Sequence, residues 1–166
     1  FNTTTAFINE FSGNVSEGSV VETLGYATVG DGGGAKWVKT ATTGTTSQSP
    51  AQLGDALLND AAGNQWALVT CGELNVLSVG ALGNNSQDNL LPFNAAIAGG
   101  SKNLFVPEGT YNLSATWLFN DNDVTVRFAG QGVCTIVPTF ATTNIIQIGA
   151  SGLTKNIHFR GGFTID

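Results

Sequence analysis

Few residues in this chain have the type and spacing to do chemistry. Asp121 and Asp123 bracket Asn122 directly after an apolar stretch, and two carboxylates at i and i+2 suit a Ca²⁺ ion or acid/base work on a sugar. A Ca²⁺ site takes about six to eight oxygen ligands, and only these two can be named, so the triplet reads first as a solvated turn, where Asp and Asn are favoured. His158 alternates with Ile157 and Phe159, which points its ring away from the core. No nucleophile or carboxylate stands beside it in sequence, so it reads as a surface histidine. Asp121, Asp123 and His158 are thus the catalytic candidates, and no metal or cofactor site is assigned.

The remaining candidates have structural readings. Gly30–Gly34 (GDGGG) lacks the Lys-Ser/Thr of a phosphate loop and opens onto no helix, so it reads as a tight strand connection. Asp88 precedes a helical pattern and is expected to accept backbone N–H bonds there. Trp37, Trp66 and Trp117 could stack on pyranose rings, but they fall on three separate elements, which favours packing in a core or between subunits. Cys71 and Cys134 have no partners at metal-ligand spacing and read as two buried small hydrophobes. The Asn-x-Ser/Thr triplets at Asn2, Asn14, Asn84 and Asn112 are ordinary for so Asn- and Thr-rich a chain.

Composition narrows the function classes. Six Lys or Arg against twelve Asp or Glu give a formal net charge of −6, and the cations are scattered. Nucleic-acid binding needs them clustered. No apolar run approaches the roughly 20 residues of a membrane-spanning helix, so no membrane insertion is expected. Charged residues are 11% of the chain and Gly numbers 22, a balance that suits an all-β protein with many turns. The chain starts at Phe1 and lacks Met, so a segment upstream is expected.

Three regions follow from patterning. Residues 1–19 lack a sustained period and read as a lead-in, with Phe7, Ile8 and Phe11 able to dock on a partner subunit or on the next domain. Residues 20–72 read as a small β domain: strand Val20–Val29, the Gly30–Gly34 tip, strand Ala35–Thr42, a polar loop over Thr43–Pro50, and a turn and strand over Ala61–Val69. From residue 73 to 166 the register changes. A short helix at about 89–98 presents Phe93, Ala96 and Ile97, tolerates Pro92 in its first turn and stops at Gly99–Gly100. It is the only helix expected.

Apolar clusters then recur at Leu104–Val106, Val124–Phe128, Ile145–Ile148 and Phe163–Ile165, with a second series at Tyr111–Leu113, Thr135–Val137 and Ile157–Phe159. Two interleaved strand series, each repeating once per coil, predict a parallel β-helix. Val106, Val126, Ile146 and Ile165 would form one inward ladder, with the helix covering the first open edge. The pattern breaks off mid-stack at Asp166, which predicts a longer native chain.

The segment Val76–Leu113 resembles the opening of the pectate-lyase-like β-helix module of phage tailspikes and related polysaccharide-degrading proteins. The resemblance rests on Val79-Gly80-Ala81, Gly83-Asn84-Asn85-Ser86, Gln87-Asp88-Asn89, Ala95-Ala96-Ile97-Ala98, Leu104-Phe105-Val106 and Pro107-Glu108-Gly109-Thr110-Tyr111. Val79 replaces the usual aromatic, and one carboxylate stands where the family often has two or three. Upstream, Gly25-Tyr26 and Gly30-Asp31-Gly32-Gly33-Gly34 resemble the glycine-rich element that often precedes this module in tailspikes.

The resemblance implies an all-β fold in which a small N-terminal antiparallel domain precedes the first coils of a right-handed parallel β-helix with one short capping helix. It further implies a homotrimeric virion component of the phage tail, docked on a tail or baseplate protein, whose missing C-terminal region binds host surface polysaccharide. Catalytic residues in that family lie on later coils or between subunits. None is therefore assigned within these residues, and whether the full-length protein is a polysaccharide depolymerase stays open. The alternatives are the N-terminal part of a secreted polysaccharide lyase or hydrolase, and a non-catalytic carbohydrate-binding adhesin.

Overall fold

The computed structural model describes residues 1–120, 123–141, 144–149 and 156–166. The chain opens with helix α1 (Thr4–Glu10), where none was expected. The Thr3 side chain accepts the Ala6 N–H at its N-terminus, the usual way to satisfy a first-turn donor. This helix buries Phe7 and Ile8. Phe7 and Phe11 meet Trp66 edge-on, at centroid distances of 4.9 and 5.8 Å. The lead-in is therefore part of the β unit's core, and its aromatic residues dock within the chain.

Strands β1 (Val20–Thr23), β2 (Ala35–Thr43), β3 (Leu57–Asn59) and β4 (Asn64–Leu68) form an antiparallel sheet in the order β1-β2-β4-β3. A one-turn helix α2 (Pro50–Leu53) carries a reciprocal capping box between Ser49 and Gln52. Trp37, Leu58 and Trp66 are fully buried with Phe7 in this small core. The first strand ends six residues earlier than patterning indicated, because Leu24–Val29 belongs to the loop before β2.

The parallel part begins with β5 (Leu74–Asn75), a 3-10 turn at Val76–Val79, β6 (Asn84–Asp88) and helix α3 (Leu90–Ala98). It continues with β7 (Asn103–Val106), β8 (Gly109–Leu113), β9 (Trp117–Phe119), β10 (Thr125–Phe128), β11 (Cys134–Pro138), β12 (Ile146–Ile148), β13 (His158–Arg160) and β14 (Thr164–Ile165). These strands stack as three parallel sheets, β5-β7-β10-β13, β6-β8-β11-β14 and β9-β12. Strand β6 pairs with β8 through a bulge between Asn84 and Asp88.

A coil therefore has three strands rather than two, and the ladders differ from the predicted series. Leu74, Leu104, Val126 and Phe159 stack in the first sheet. Tyr111, Ile136 and Ile165 stack in the second. Trp117 and Ile146 stack in the third. Val106, Val126, Ile146 and Ile165 thus belong to three sheets, not one ladder; Val106 pairs with Phe128. The first step of each series is one coil, Leu104–Val106 to Val124–Phe128 and Tyr111–Leu113 to Thr135–Val137. With three short strands per coil and turns of unequal length, however, the later clusters, Ile145–Ile148, Phe163–Ile165 and Ile157–Phe159, fall in other sheets.

The inward residues form one contiguous core from Leu74 to Ile136. Helix α3 closes its first end. Phe93 lies 5.4 Å from the Tyr111 ring and 4.6 Å from Trp117, and Trp117 lies 4.5 Å from Phe119. Such aromatic contacts add about 0.5–1.5 kcal/mol each beyond burial. All three tryptophans are fully buried.

Candidate functional site

Asp123 and His158 come from neighbouring coils at one corner of the first sheet. Thr125 pairs with His158, and the His158 N–H donates to the Val124 carbonyl at 2.9 Å. Asp123 adopts φ of +59°, a conformation that Asp tolerates better than most residues. Its carboxylate accepts the Asn156 amide at 2.9 Å. Both Asp123 and His158 are exposed. Asp121 lies outside the described residues.

Around this corner the outer face of the first sheet carries Asn103, Thr125 and His158 in one row, with Phe105, Arg127 and Arg160 in the next. Arg127 sits 3.8 Å above the Phe105 ring. It donates to both carboxylate oxygens of Glu73, at 2.9 Å from Nε and 2.5 Å from Nη2. This pair is exposed and so adds little to stability, but it holds Arg127 flat against the aromatic ring. Among the described residues, no group of three or more His, Cys, Asp or Glu side chains is placed to hold a metal ion.

Asp88 does what its position indicated and more. Its Oδ1 accepts the Leu90 N–H at 3.1 Å and the Ser114 N–H at 3.0 Å, and its Oδ2 accepts the Ser114 hydroxyl at 2.6 Å. One carboxylate thus starts α3 and ties the first coil to the second. Asn89, which directly precedes α3, makes no side-chain cap bond and instead accepts the Leu82 N–H at 2.7 Å.

Two carboxylates carry roles that the sequence reading did not assign. Asp31, within the glycine loop, accepts the N–H groups of Tyr26, Ala27, Thr28 and Gly33 at 2.8–2.9 Å. Burial works to raise its pKa, but the four backbone donors together outweigh it and hold the carboxyl below its ordinary value. Asp60 is fully buried. It accepts four donors at 2.9 Å: the N–H groups of Ala62 and Asn64, the Asn64 side-chain amide and the Trp66 indole. The visible signal for Asp31 was an acid set among glycines; Asp60 had only its neighbours Gly63, Asn64 and Trp66.

The cysteines divide. Cys134 is buried, while Cys71 is exposed in the connection after β4, which corrects the expectation that both are interior. Cys71 lines a crevice of about 390 Å³ between the β unit and the first coil, together with Glu22, Lys36, Glu73, Asn75 and Ser78. Neither Asp123 nor His158 lines it.

No family model matches the chain, and no curated protein matches its sequence. Solved structures do. Full-length tailspike protein 2 of an Escherichia coli O157:H7 bacteriophage is 18% identical and superposes with a TM-score of 0.64, covering 95% of this chain and 20% of that one. The enzymatically active domain of tailspike protein 2 from bacteriophage CBA120 is 17% identical, with a TM-score of 0.61, covering 89% of this chain and 20% of that one. The chain therefore spans about a fifth of the length of the tailspike chains it matches. Its structural neighbours are phage tailspike proteins, and what it shares with them is the fold: a small antiparallel β unit set on the opening coils of a parallel β-helix.

Proposed function

We propose that this chain is the N-terminal attachment and shaft-base region of a homotrimeric phage tailspike, a structural component of the virion tail that serves host attachment. Binding of host surface polysaccharide, and any depolymerase activity of the full-length protein, falls to other coils. The observation carrying this reading is the β unit joined to a β-helix opening, a combination that superposes on a full-length tailspike over 95% of the chain. Asp123 and His158 share an exposed corner where Asp123 is engaged by the Asn156 amide, an arrangement that suits a turn tying two coils of a shaft together.

The superposition on a structure limited to an enzymatically active domain still covers 89% of this chain, so most of the β unit falls within the match. This favours an attachment and neck region that stays with the β-helix over a detachable mounting module. A domain boundary near residue 72, with residues 1–19 packed into the β unit rather than set apart from it, is part of the same proposal.

The test has two parts. Sedimentation of the chain is expected to give a trimer, and incubation with acidic and neutral bacterial polysaccharides is expected to release no oligosaccharide. Turnover by these residues alone would instead support the lyase or hydrolase reading, with Asp121, Asp123 and His158 the first positions to substitute. A monomer that neither associates nor appears in purified virions would refute the tailspike role.

A further inference from the structure

The loop from Leu24 to Gly34 is more than a hairpin tip. Asp31 draws four N–H groups onto one carboxylate and so gives the loop a single shape. On one side the first turn of α1 holds it: the N–H groups of Thr4 and Thr5 donate to the carbonyls of Gly25 and Tyr26 at 2.9 Å, and the Thr5 hydroxyl adds a 3.0 Å bond to Tyr26. On the other side lies the 3-10 turn of the first coil. There the Asn75 amide donates to the Gly32 carbonyl at 3.1 Å and the Ser78 hydroxyl to that of Gly34 at 3.4 Å.

The glycines make this contact possible by close approach. A Cβ at Gly33 would stand 2.6 Å from the Leu77 carbonyl oxygen, and one at Gly80, where φ is +102°, would stand 2.8 Å from the Tyr26 ring. A second contact joins the same two units elsewhere. Gly99, at the end of α3, packs so tightly on Ala56 that an added Cβ would come within 2.3 Å of the Ala56 Cβ. Ala56 and Leu68 contribute to the β-helix core although both belong to the β unit. Two separate contacts block rotation of one unit against the other.

We infer that Leu24–Gly34 is a closed strap, pinned by Asp31, that latches the β unit across the first coil so that the two open and close as one body. The latch rests on contacts within the chain and holds whatever the β-helix is used for. It assigns the glycine-rich element a conformational job, in place of a bare connection between strands.

Hydrogen exchange on the whole chain tests this. The amides of Gly80 and Ala81 bond to Leu77 and Val76, not to Asp31. In Asp31→Ala they are nevertheless expected to exchange at least about tenfold faster, while β11 amides keep their rates. Acceleration confined to residues 26–33 would overturn the latch. Should Asp31→Ala fail to fold, the wild-type protein decides. The amides of Tyr26, Ala27 and Gly33 and those of Gly80 and Ala81 are expected to share one opening free energy and one denaturant slope, and a separate, cheaper opening of the loop would refute the inference.

Discussion

Replacing Asp60 by Asn tests whether the β unit is organised around a single buried anion. The native carboxylate receives four donors, two on each oxygen. An amide of the same shape offers one oxygen and one NH₂. With its oxygen toward Ala62 and Asn64, the NH₂ faces the Asn64 side chain and the Trp66 indole, donor against donor. The flipped amide moves the same conflict to the two backbone N–H groups. Either way two bonds to a charged acceptor are lost, worth about 1.5–3 kcal/mol each when intact, and repulsion is added. Relief comes from local movement of the Asn64 side chain, so the net cost is expected near about 3 kcal/mol. At about 2–4 °C per kcal/mol for a chain of this size, thermal unfolding should shift down by roughly 6–12 °C. Urea unfolding followed by tryptophan fluorescence reads the same loss as a lower midpoint at unchanged slope. A change below about 0.5 kcal/mol would show that the four bonds do not organise this core.

Three further outcomes follow from other sites. Asp31 has a folded pKa below its unfolded value, near about 3.9, so its contribution is present above that value and disappears as the pH falls through the folded one. The stability gap between wild type and Asp31→Asn should stay constant from about pH 7 to 5 and narrow below about pH 4; a gap unchanged down to strongly acid pH would contradict the assignment. Gly109 has φ of +141°, and a Cβ there would meet the Gly83 oxygen at 2.5 Å and its Cα at 2.6 Å. Gly109→Ala is therefore expected to cost more than about 2 kcal/mol in chemical denaturation. Burial pushes the Cys134 thiol up to about 11, so iodoacetamide at about pH 8 should add one label, at Cys71, by mass spectrometry of the native protein.

The opening of the β-helix was legible because its signals are local. Pro107 follows β7, Gly109 takes the backbone conformation that lets it approach Gly83, and the Tyr111 hydroxyl donates to the Pro107 carbonyl at 3.1 Å. The apolar face of α3 was readable for the same reason. Strand assignment within the coils was not. Leu104, Val126 and Phe159 are neighbours in one ladder yet stand 22 and 33 residues apart, because turns between short strands absorb insertions without disturbing the stack. Helix α1 escaped notice because its seven residues are too few for a period to emerge, and its stability comes from Trp66, far along the chain.

Among the candidate residues, the sequence by itself determined their types, the acid at the start of α3 and the exposure of His158. Tertiary structure decided the rest. It brought Asp123 to Asn156, Glu73 to Arg127 and Asp88 to Ser114 across coils. It also turned an acid among glycines into the pin of a strap. Local preference acts over a few residues, whereas a carboxylate's role depends on which donors the fold delivers to its two oxygens, and that delivery is settled only when the coils stack.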